Sequence, residues 1–225
     1  MKSLGKIGGA AGFICAATYI FGFVLLLTLL APSGYGSETA DAEKILAFIN
    51  ENTGLMLTWN LVIYVINGIS LGVLAIALAD RFPTVFQGFV RGFGLMWATL
   101  VIAAGMVANV GISAALTKLS TAPEAAVQLW DTLSAVENGL GGGNEIVGGV
   151  WAIVIAIAVM SSGQLPRVFA WFSIVIGGSG LLTVVPQLGE APGAIFGLGY
   201  ILWFVWIGFM LLRGPETVAT GTPGE

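Results

Sequence analysis

The sequence contains no histidine and only one cysteine, Cys15. These two absences exclude a disulfide within the sequence, zinc sites built from His and Cys, His-ligated haem and Cys-ligated iron–sulfur clusters. We therefore expect neither a metal nor a cofactor. Basic residues are also few, with 8 Lys and Arg against 12 Asp and Glu and no basic run. Because nucleic-acid binding requires Lys and Arg to neutralise phosphates, we expect no nucleic-acid partner.

Charge of either sign is scarce, since only 9% of the 225 residues are charged and 57% are hydrophobic. A soluble domain typically has about 25% charged and about 45–50% apolar residues. The mean hydropathy of +0.96 agrees with this difference. The composition predicts an integral membrane protein that contacts the lipid bilayer and has no large soluble domain.

Apolar windows long enough to cross a membrane occur six times, each close to the roughly 20 residues that a transmembrane helix needs. They predict an all-α, polytopic six-transmembrane-helix bundle that forms one domain over residues 1–213. The first window exceeds the about 7–15 residues of a signal-peptide core, so we expect it to be a retained helix. Residues 214–225, rich in Gly, Pro and Thr, predict a disordered cytoplasmic tail. The predicted helices lie near residues 8–31, 55–79, 92–116, 141–160, 168–187 and 193–212.

The basic residues predict the orientation, because Lys and Arg in short loops stay on the cytoplasmic side. With the N-terminus inside, only Lys44 and Lys118 fall outside. We therefore predict that both termini are cytoplasmic and that the outer face is acidic. The basic residues on the inner side are Lys2, Lys6, Arg81, Arg91, Arg167 and Arg213.

Two outer segments predict short amphipathic helices, because each has an apolar stripe at helical spacing. The first is preceded by Ser37 and Thr39 as candidate N-caps, and the second begins at Pro123, which suits a first helical turn. The second helix leads directly into the segment ENGLGGGNEIVGG, residues 137–149. The two stripes are Ala42, Ile45, Leu46 and Ile49, and Ala126, Leu129, Trp130, Leu133 and Val136.

The three consecutive glycines Gly141, Gly142 and Gly143 would each cost an isolated helix about 1 kcal/mol relative to alanine. They predict a kink, an unwound turn or a very close helix crossing. A phosphate-binding loop is disfavoured, because no strand precedes the glycines and no Walker lysine follows them. If the segment is instead helical, Asn138 and Glu145, seven residues apart, face the same sector of neighbouring helices.

Polar side chains within the predicted spans are the candidate functional residues. Asn60, Tyr64 and Asn67 share one face of the second helix at i, i+4 and i+7, and Asn109 lies near the outer end of the third. Asn144 and Glu145 begin the fourth span just below the outer surface. We therefore predict a ligand-binding cluster in the outer half of the bundle. Its candidate residues are Glu145, Asn144, Asn60, Asn67, Asn109 and Tyr64.

Two interpretations of Glu145 remain open. In the structural one, its carboxyl group pairs with Asn60, Asn109 or Lys118 and ties three helices together. In the functional one, an acid with no Lys or Arg in any of the six spans holds a cation, an amine or a transferable proton. Glu137, nearer the outer surface, is predicted to be exposed and without a role.

Glycine pairs and tryptophans suggest how the bundle packs. Gly68 with Gly72, and Gly193 with Gly197, have the spacing of close helix crossings, within the bundle or in a dimer. Several tryptophans, among them Trp203, lie toward helix ends, where aromatic belts form at membrane surfaces. For the tryptophans as a group, packing is the simpler role than stacking on a ligand.

Several stretches resemble a bacterial family of integral membrane proteins, the domain-of-unknown-function 4386 family. They are AFINENTGLMLTWNLVIYVINGISLGVLAIAL, GGGNEIVGGVWAIVIAIAV, LPRVFAWFSIVIGGSGLLTVVP and GAIFGLGYILWFVWIGFMLLR, with Pro166 and Arg167 at the family-like cytoplasmic turn. The resemblance implies six helices and a location in the bacterial cytoplasmic membrane. It supplies no catalytic residues.

The sequence contains no HExxH, no GxSxG and no intramembrane lysine for a Ser-Lys pair. We therefore expect a protein that is not an enzyme. The first hypothesis is an accessory or scaffolding membrane component that associates with other membrane-protein subunits or with itself. The alternative is a small transporter or solute-binding membrane protein with its polar site around Glu145.

Overall fold

A computed structural model of the chain describes residues 2–35, 41–142, 145–188 and 191–213. Regular structure in these residues is helical, and they contain no β-strand, so the predicted all-α class is confirmed. Asn144 and the predicted tail, residues 214–225, lie outside the described residues. The α-helices are α1 (Lys2–Leu25), α2 (Ala42–Glu51), α3 (Thr53–Asn60), α4 (Asn67–Ala79), α5 (Thr84–Leu119), α6 (Pro123–Glu137), α7 (Ile146–Ser162), α8 (Arg167–Leu182) and α9 (Ala191–Arg213).

Two π-helical segments interrupt or extend these helices. Leu26–Leu30 continues α1 and Leu61–Ile66 joins α3 to α4, whereas Asn138–Gly142, after α6, contains the non-helical Gly141. A π-helix bonds each carbonyl to the fifth following amide rather than the fourth. Each segment therefore shifts the direction in which later side chains leave the helix.

Five helical regions are long and apolar enough to cross a membrane: Ser3–Ser33, Thr53–Ala79, Thr84–Leu119, Pro123–Ser162 and Ala191–Arg213. The fourth region joins α6, the segment after it and α7. The remaining apolar helix, α8, has 16 residues, fewer than the roughly 20 that a straight span requires. Large apolar side chains such as Leu27, Val110 and Leu202 are mostly exposed along these helices. Their length and exposed apolar surface are consistent with a multi-pass membrane protein in contact with lipid.

Arg81 and Arg91 lie at one end of the bundle, which we call the basic end. There the Arg81 guanidinium donates a hydrogen bond to the Leu211 carbonyl, at 3.0 Å, near the end of α9. A β-carbon on Gly5, near the start of α1, would also lie 3.2 Å from the Arg81 Nη2 atom. Arg91 pairs with Asp80 at 2.9 Å across the α4–α5 turn. The start of α1 and the end of α9 therefore lie together, and α2 lies at the opposite end.

Helices α2 and α6 form a cover over the end opposite the basic end. The predicted apolar stripe of α2 is confirmed by Leu46 and Ile49, which are buried against α6 and α3. In α6, Ala126 and Trp130 are buried in the same cluster. Both helices therefore pack on the bundle. The N-cap prediction is wrong: α2 begins at Ala42, and its N-cap is Asp41, whose carboxylate accepts a hydrogen bond from the Glu43 amide at 3.1 Å.

The main core is aromatic and lies between α5, α7, α8 and α9. Trp203 is fully buried, and its indole Nε1–H donates to the Ser173 hydroxyl at 2.8 Å. Trp97 and Trp151 are buried beside it, whereas Trp171 is 63% exposed. Trp203 is therefore a core residue and does not belong to an interfacial aromatic belt, because the rotation of α9 turns this side chain toward α8.

Glycine permits close helix crossings at some of the predicted positions. A β-carbon on Gly68 would lie 2.5 Å from the Ile102 side chain of α5, and one on Gly197 would lie 2.6 Å from the Phe23 ring. Gly72 has only ordinary contacts and Gly193 faces open space. Close packing is thus confirmed for Gly68 and Gly197 and is wrong for the other two glycines. The tightest backbone approach, between Gly149 and Gly177, is not part of either predicted pair.

Candidate functional site

A partly open cavity of about 190 Å³ lies between the helices near the end covered by α2 and α6. Its walls come from α1, the α3–α4 region, α5, the bend before α7, and the beginning of α9. We call it the Glu145 cavity. The residues that line it include Tyr19, Trp59, Tyr64, Asn67, Glu145 and Gly193.

Both π-helical segments and the bend at Gly141 contribute to the wall of this cavity. Leu26 comes from the first segment, Tyr64 from the second and Gly141 from the bend. π-Helical turns occur frequently at functional sites, because they widen a helix and redirect its side chains. Their convergence on one cavity distinguishes it from an ordinary packing gap.

Gly141 bends the chain between α6 and α7. Its φ of 134° and ψ of 15° lie in a region that residues with a β-carbon rarely adopt. The predicted kink is therefore confirmed. The alternative of one continuous helix across residues 137–149 is wrong, and with it the shared face of Asn138 and Glu145. Glu145 instead stands at the N-cap of α7, after the bend.

The backbone of Glu145 is fixed by the end of α8. Its amide donates a hydrogen bond to the Thr183 hydroxyl at 3.0 Å, and its carbonyl accepts one from the Gly149 amide at 2.8 Å. A β-carbon on Gly180 would lie only 2.9 Å from the same carbonyl oxygen. The side chain makes no capping bond to α7. A rigid backbone therefore presents a carboxyl group that is not used to cap its own helix.

The Glu145 carboxyl group has no hydrogen-bond or ion-pair partner within the described part of the chain. The pairing with Asn60, Asn109 or Lys118 that the structural interpretation requires does not form there. The Tyr19 and Tyr200 hydroxyls are within electrostatic range of Glu145. The lining residues of the Glu145 cavity include no Lys or Arg. This cavity therefore holds an acid without an opposite charge.

Glu137 is a second acid, connected to the cavity through Tyr64 although it is not one of the lining residues. It is partly buried rather than exposed, and its Oε1 atom accepts a hydrogen bond from the Tyr64 hydroxyl. Tyr64 packs against α5 where Gly105 leaves room for it, since a β-carbon on Gly105 would lie 2.4 Å from the Tyr64 β-carbon. Glu137 is also within electrostatic range of Glu145. Its position immediately before the glycine-rich bend was the only sequence signal.

Asn67 lines the cavity and is positioned by α1. Its side-chain amide donates to the Thr18 hydroxyl at 2.7 Å, and that hydroxyl donates to the Cys15 carbonyl at 2.8 Å. Only 1% of Asn67 is exposed. The Asn67 amide thus has a fixed orientation, with its N–H group directed to α1.

Asn60 and Asn109 form a separate polar contact. The Asn60 amide donates to the Asn109 side-chain oxygen at 3.1 Å, and the Asn109 amide donates to the Leu57 carbonyl at 3.3 Å. Neither asparagine lines the Glu145 cavity. The predicted common face holds for Asn60 and Tyr64, which both contact α5, at Asn109 and at Gly105. It is wrong for Asn67, which bonds to Thr18 of α1, because the π-helical segment Leu61–Ile66 rotates the residues that follow it.

Aromatic side chains complete the wall of the cavity and were not predicted as site residues. Trp59 lines it, with its indole Nε1–H donating to the Gly22 carbonyl at 3.3 Å. The Tyr35 ring meets the Trp59 ring edge to face, with centroids 5.7 Å apart. Burial, followed by the charge of Glu137, raises the pKa of the Tyr35 phenol, so it stays neutral. Tyr19, on α1, adds another ring.

Of the six predicted site residues, Glu145, Tyr64 and Asn67 therefore meet at one cavity, Asn60 and Asn109 pair elsewhere, and Asn144 lies outside the described residues. Comparison with known proteins adds no assignment: the chain matches no protein-family model, and neither curated proteins nor solved structures gave a match. The resemblance to the domain-of-unknown-function 4386 family stays a prediction.

Proposed function

We propose that this chain is a multi-pass membrane protein that binds a small solute in the Glu145 cavity, as a small transporter or solute-binding protein. One observation carries the proposal: a carboxyl group without a partner among the described residues lines a cavity inside an apolar bundle. Ionisable groups inside membrane bundles are costly and typically mark the path or site of a substrate. A purely structural acid would be expected to use its carboxyl group in a bond between helices.

The size of the cavity restricts the solute. Sites for drug-sized ligands typically measure about 300–1,000 Å³. The Glu145 cavity, at about 190 Å³, is smaller than these sites. It is closer to the engineered cavity of about 150 Å³ that admits benzene. We therefore propose a compact solute with few heavy atoms.

We also propose six spans in a bacterial cytoplasmic membrane, with the basic end and both termini in the cytoplasm. The clustering of Arg81 and Arg91 near the start of α1 and the end of α9 supports this orientation. The cavity would then lie in the outer half of the membrane. For α8 to cross, its short length requires local thinning of the bilayer or a contribution from flanking residues.

Cysteine labelling tests this topology. We expect a membrane-impermeant maleimide to label Glu124→Cys and Gln187→Cys on intact cells, and to label Gln164→Cys only after lysis. All three positions are exposed, and Cys15 is buried, so a Cys15→Ala background supplies an otherwise cysteine-free chain. Labelling of Gln164→Cys on intact cells would contradict the orientation. Labelling of Gln187→Cys only after lysis would show that α8 does not cross.

Filling the cavity tests the proposed function. Gly193 lines the cavity, and a β-carbon there meets no atom within 4 Å. Leucine at this position should occupy the cavity without displacing the backbone. We expect a solute that raises the melting temperature of the purified wild-type protein to have no effect on Gly193→Leu. The measurement is thermal unfolding in detergent with a panel of small cations, anions and neutral polar molecules.

Gly178→Leu is the matched control. Gly178 also lies in an apolar helix, and a β-carbon on it would likewise meet no atom within 4 Å, but it does not line the cavity. It should retain the response of the wild-type protein. Equal stabilisation of Gly193→Leu and wild type, or no response of the wild type to any solute in the panel, would contradict binding in this cavity.

An accessory or scaffolding role stays a prediction, as does the expectation that the protein is not an enzyme. A shallow groove lined by Thr58, Asn109 and Ser113 on the surface of α3 and α5 is the feature that favours contact with another subunit. Cross-linking in native membranes would test it, since recovery of the chain without a reproducible partner would contradict a subunit role.

A further inference from the structure

We propose that the solute of the Glu145 cavity is a small organic cation, an amine in its ammonium form or a quaternary ammonium. This inference rests on the proposed solute-binding function and adds the chemical class of the ligand. It follows from three features of the cavity: an acid without a basic partner, the aromatic rings in its wall and the prior use of several of its hydrogen-bond donors.

The first feature is an acid without a basic partner. Within the described part of the chain, the two ion pairs join Lys44 to Asp41 and Arg91 to Asp80, and both lie away from the cavity. Glu145 therefore has no basic side chain to neutralise it, and Glu137 is within electrostatic range. In a low-dielectric interior a carboxylate requires a nearby cation or a proton. A cationic ligand supplies the charge that the chain does not.

The second feature is the wall of aromatic rings. Tyr19, Phe23, Trp59 and Tyr64 all line the cavity. The face of an aromatic ring carries partial negative charge and attracts an ammonium group within about 6 Å of its centre. Their positions are held by contacts of their own, such as the bond from Trp59 to Gly22 and the packing of Tyr64 on Gly105. Several rings and a carboxylate around one small volume suit an alkylammonium ion.

The third feature, the state of the hydrogen-bond donors in the wall, favours a cationic ligand over an anionic one. One N–H of the Asn67 side-chain amide already donates to Thr18, and the Tyr64 hydroxyl already donates to Glu137. The indole N–H of Trp59 is likewise bonded to the Gly22 carbonyl. Among the described side chains of the wall, the donors left for a ligand are the Tyr19 hydroxyl and the second N–H of Asn67. An anion would meet an acid, two such donors and no Lys or Arg.

The aromatic wall also favours an organic cation over a metal ion. Calcium takes about 6–8 oxygen ligands, and magnesium keeps a nearly octahedral oxygen shell. Among the described residues, no group of three or more Asp or Glu side chains comes together. An ammonium ion requires fewer oxygen contacts, because its alkyl groups are stabilised by the rings.

A pair of probes with nearly the same shape tests this inference on the wild-type protein. Choline, the (2-hydroxyethyl)trimethylammonium ion, and 3,3-dimethylbutan-1-ol differ mainly in that one carries a positive charge. We expect choline or the smaller tetramethylammonium ion to raise the melting temperature of the purified protein, with the neutral alcohol at least about tenfold weaker in apparent affinity. Sodium and calcium chloride at matched ionic strength control for salt.

Glu145→Gln should weaken binding of the ammonium probe by about tenfold or more while the variant still folds, because the amide has nearly the same shape and no charge. Glu124→Gln, on the exposed surface of α6, is the charge-matched control and should bind as the wild type does. If Glu145→Gln does not fold, the comparison of charged and neutral probes on the wild type still decides the question.

The outcomes separate this inference from the proposed function. Equal binding of the neutral alcohol, or preference for calcium, sodium or an anion, overturns the organic cation. If such binding is still lost in Gly193→Leu, solute binding in the cavity stands. Binding of the ammonium probe that Gly193→Leu and Glu145→Gln leave unchanged places the ligand elsewhere and contradicts both. Failure of every probe and solute to bind also contradicts both.

Discussion

Gly149→Ala should lower the free energy of unfolding by about 3 kcal/mol, in the upper part of the range for overpacked cores. A β-carbon on Gly149 would lie 2.7 Å from the Gly177 carbonyl oxygen, 3.0 Å from the Leu181 amide nitrogen and 3.2 Å from the Gly180 carbonyl carbon. All three atoms belong to the backbone of α8, so no side-chain rotation can relieve the contact. The variant folds only if α7 and α8 move apart.

Gly178→Ala is the control for this prediction, since a β-carbon there meets no atom within 4 Å. Alanine in place of glycine within a helix should by itself be neutral or stabilising by about 1 kcal/mol. Titration with a denaturing detergent in mixed micelles measures the free energy of unfolding of both variants. A loss below about 1 kcal/mol in Gly149→Ala would show that the crossing is not the tight backbone contact described above.

The same crossing supports the site. The Gly149 amide donates to the Glu145 carbonyl, and Thr183, after the end of α8, holds the Glu145 amide. Separation of α7 from α8 would therefore displace the Glu145 carboxyl group as well as destabilise the bundle. We expect any folded fraction of Gly149→Ala to bind the ammonium probe more weakly than Gly178→Ala does.

Trp151→Ala should lower the free energy of unfolding by about 3–5 kcal/mol, the range for removal of a large buried aromatic side chain. Trp151 is fully buried, with ring centroids 5.6 Å from Trp97 and 5.3 Å from Trp203. In a bilayer the hydrophobic gain is small, because lipid is as apolar as the side chain. The loss of stability comes instead from the van der Waals contacts of the ring and from the cavity that its removal creates, which the neighbouring side chains cannot fill.

Two further variants distinguish the contributions to this loss of stability. Trp151→Phe keeps most of the ring and loses the indole N–H that donates to the Val90 carbonyl at 2.7 Å, so it should lose the hydrogen bond, about 1 kcal/mol, and part of the packing. Trp171→Ala, at a residue that is 63% exposed, should change the free energy of unfolding by less than about 0.5 kcal/mol. A similar loss in Trp151→Ala and Trp171→Ala would contradict the buried aromatic core.

Much of the candidate site could be predicted from sequence because a polar residue in an apolar helix is conspicuous. Glu145, Tyr64 and Asn67 were identified in this way, and all three line the cavity. Asn60 and Tyr64 both contact α5, as their spacing predicts, but Asn60 bonds to Asn109 and does not line the cavity. The π-helical segment Leu61–Ile66 turns Asn67 toward α1, which regular helical geometry does not predict.

The residues that were missed have ordinary sequence contexts. Tyr19 and Trp59 are aromatic residues in apolar helices, where aromatics usually fill the core. Glu137 is the last residue of α6, and its approach to Tyr64 depends on how the chain continues from α6 toward the bend at Gly141. Nothing in the local sequence indicates which of these side chains meet.

Composition and periodicity by themselves determined the helical class, the apolar regions and the amphipathic character of α2 and α6. They also indicated an irregularity at the three consecutive glycines from Gly141, without deciding between a kink, an unwound turn and a close helix crossing. Each depends on neighbours within about two helical turns, so it can be read along one segment. The tertiary structure decided which polar groups share a cavity, that Glu145 has no partner among the described residues and that Trp203 is buried. These depend on the rotation of helices about their axes and on which helices lie together, and both are set by packing between residues far apart in sequence.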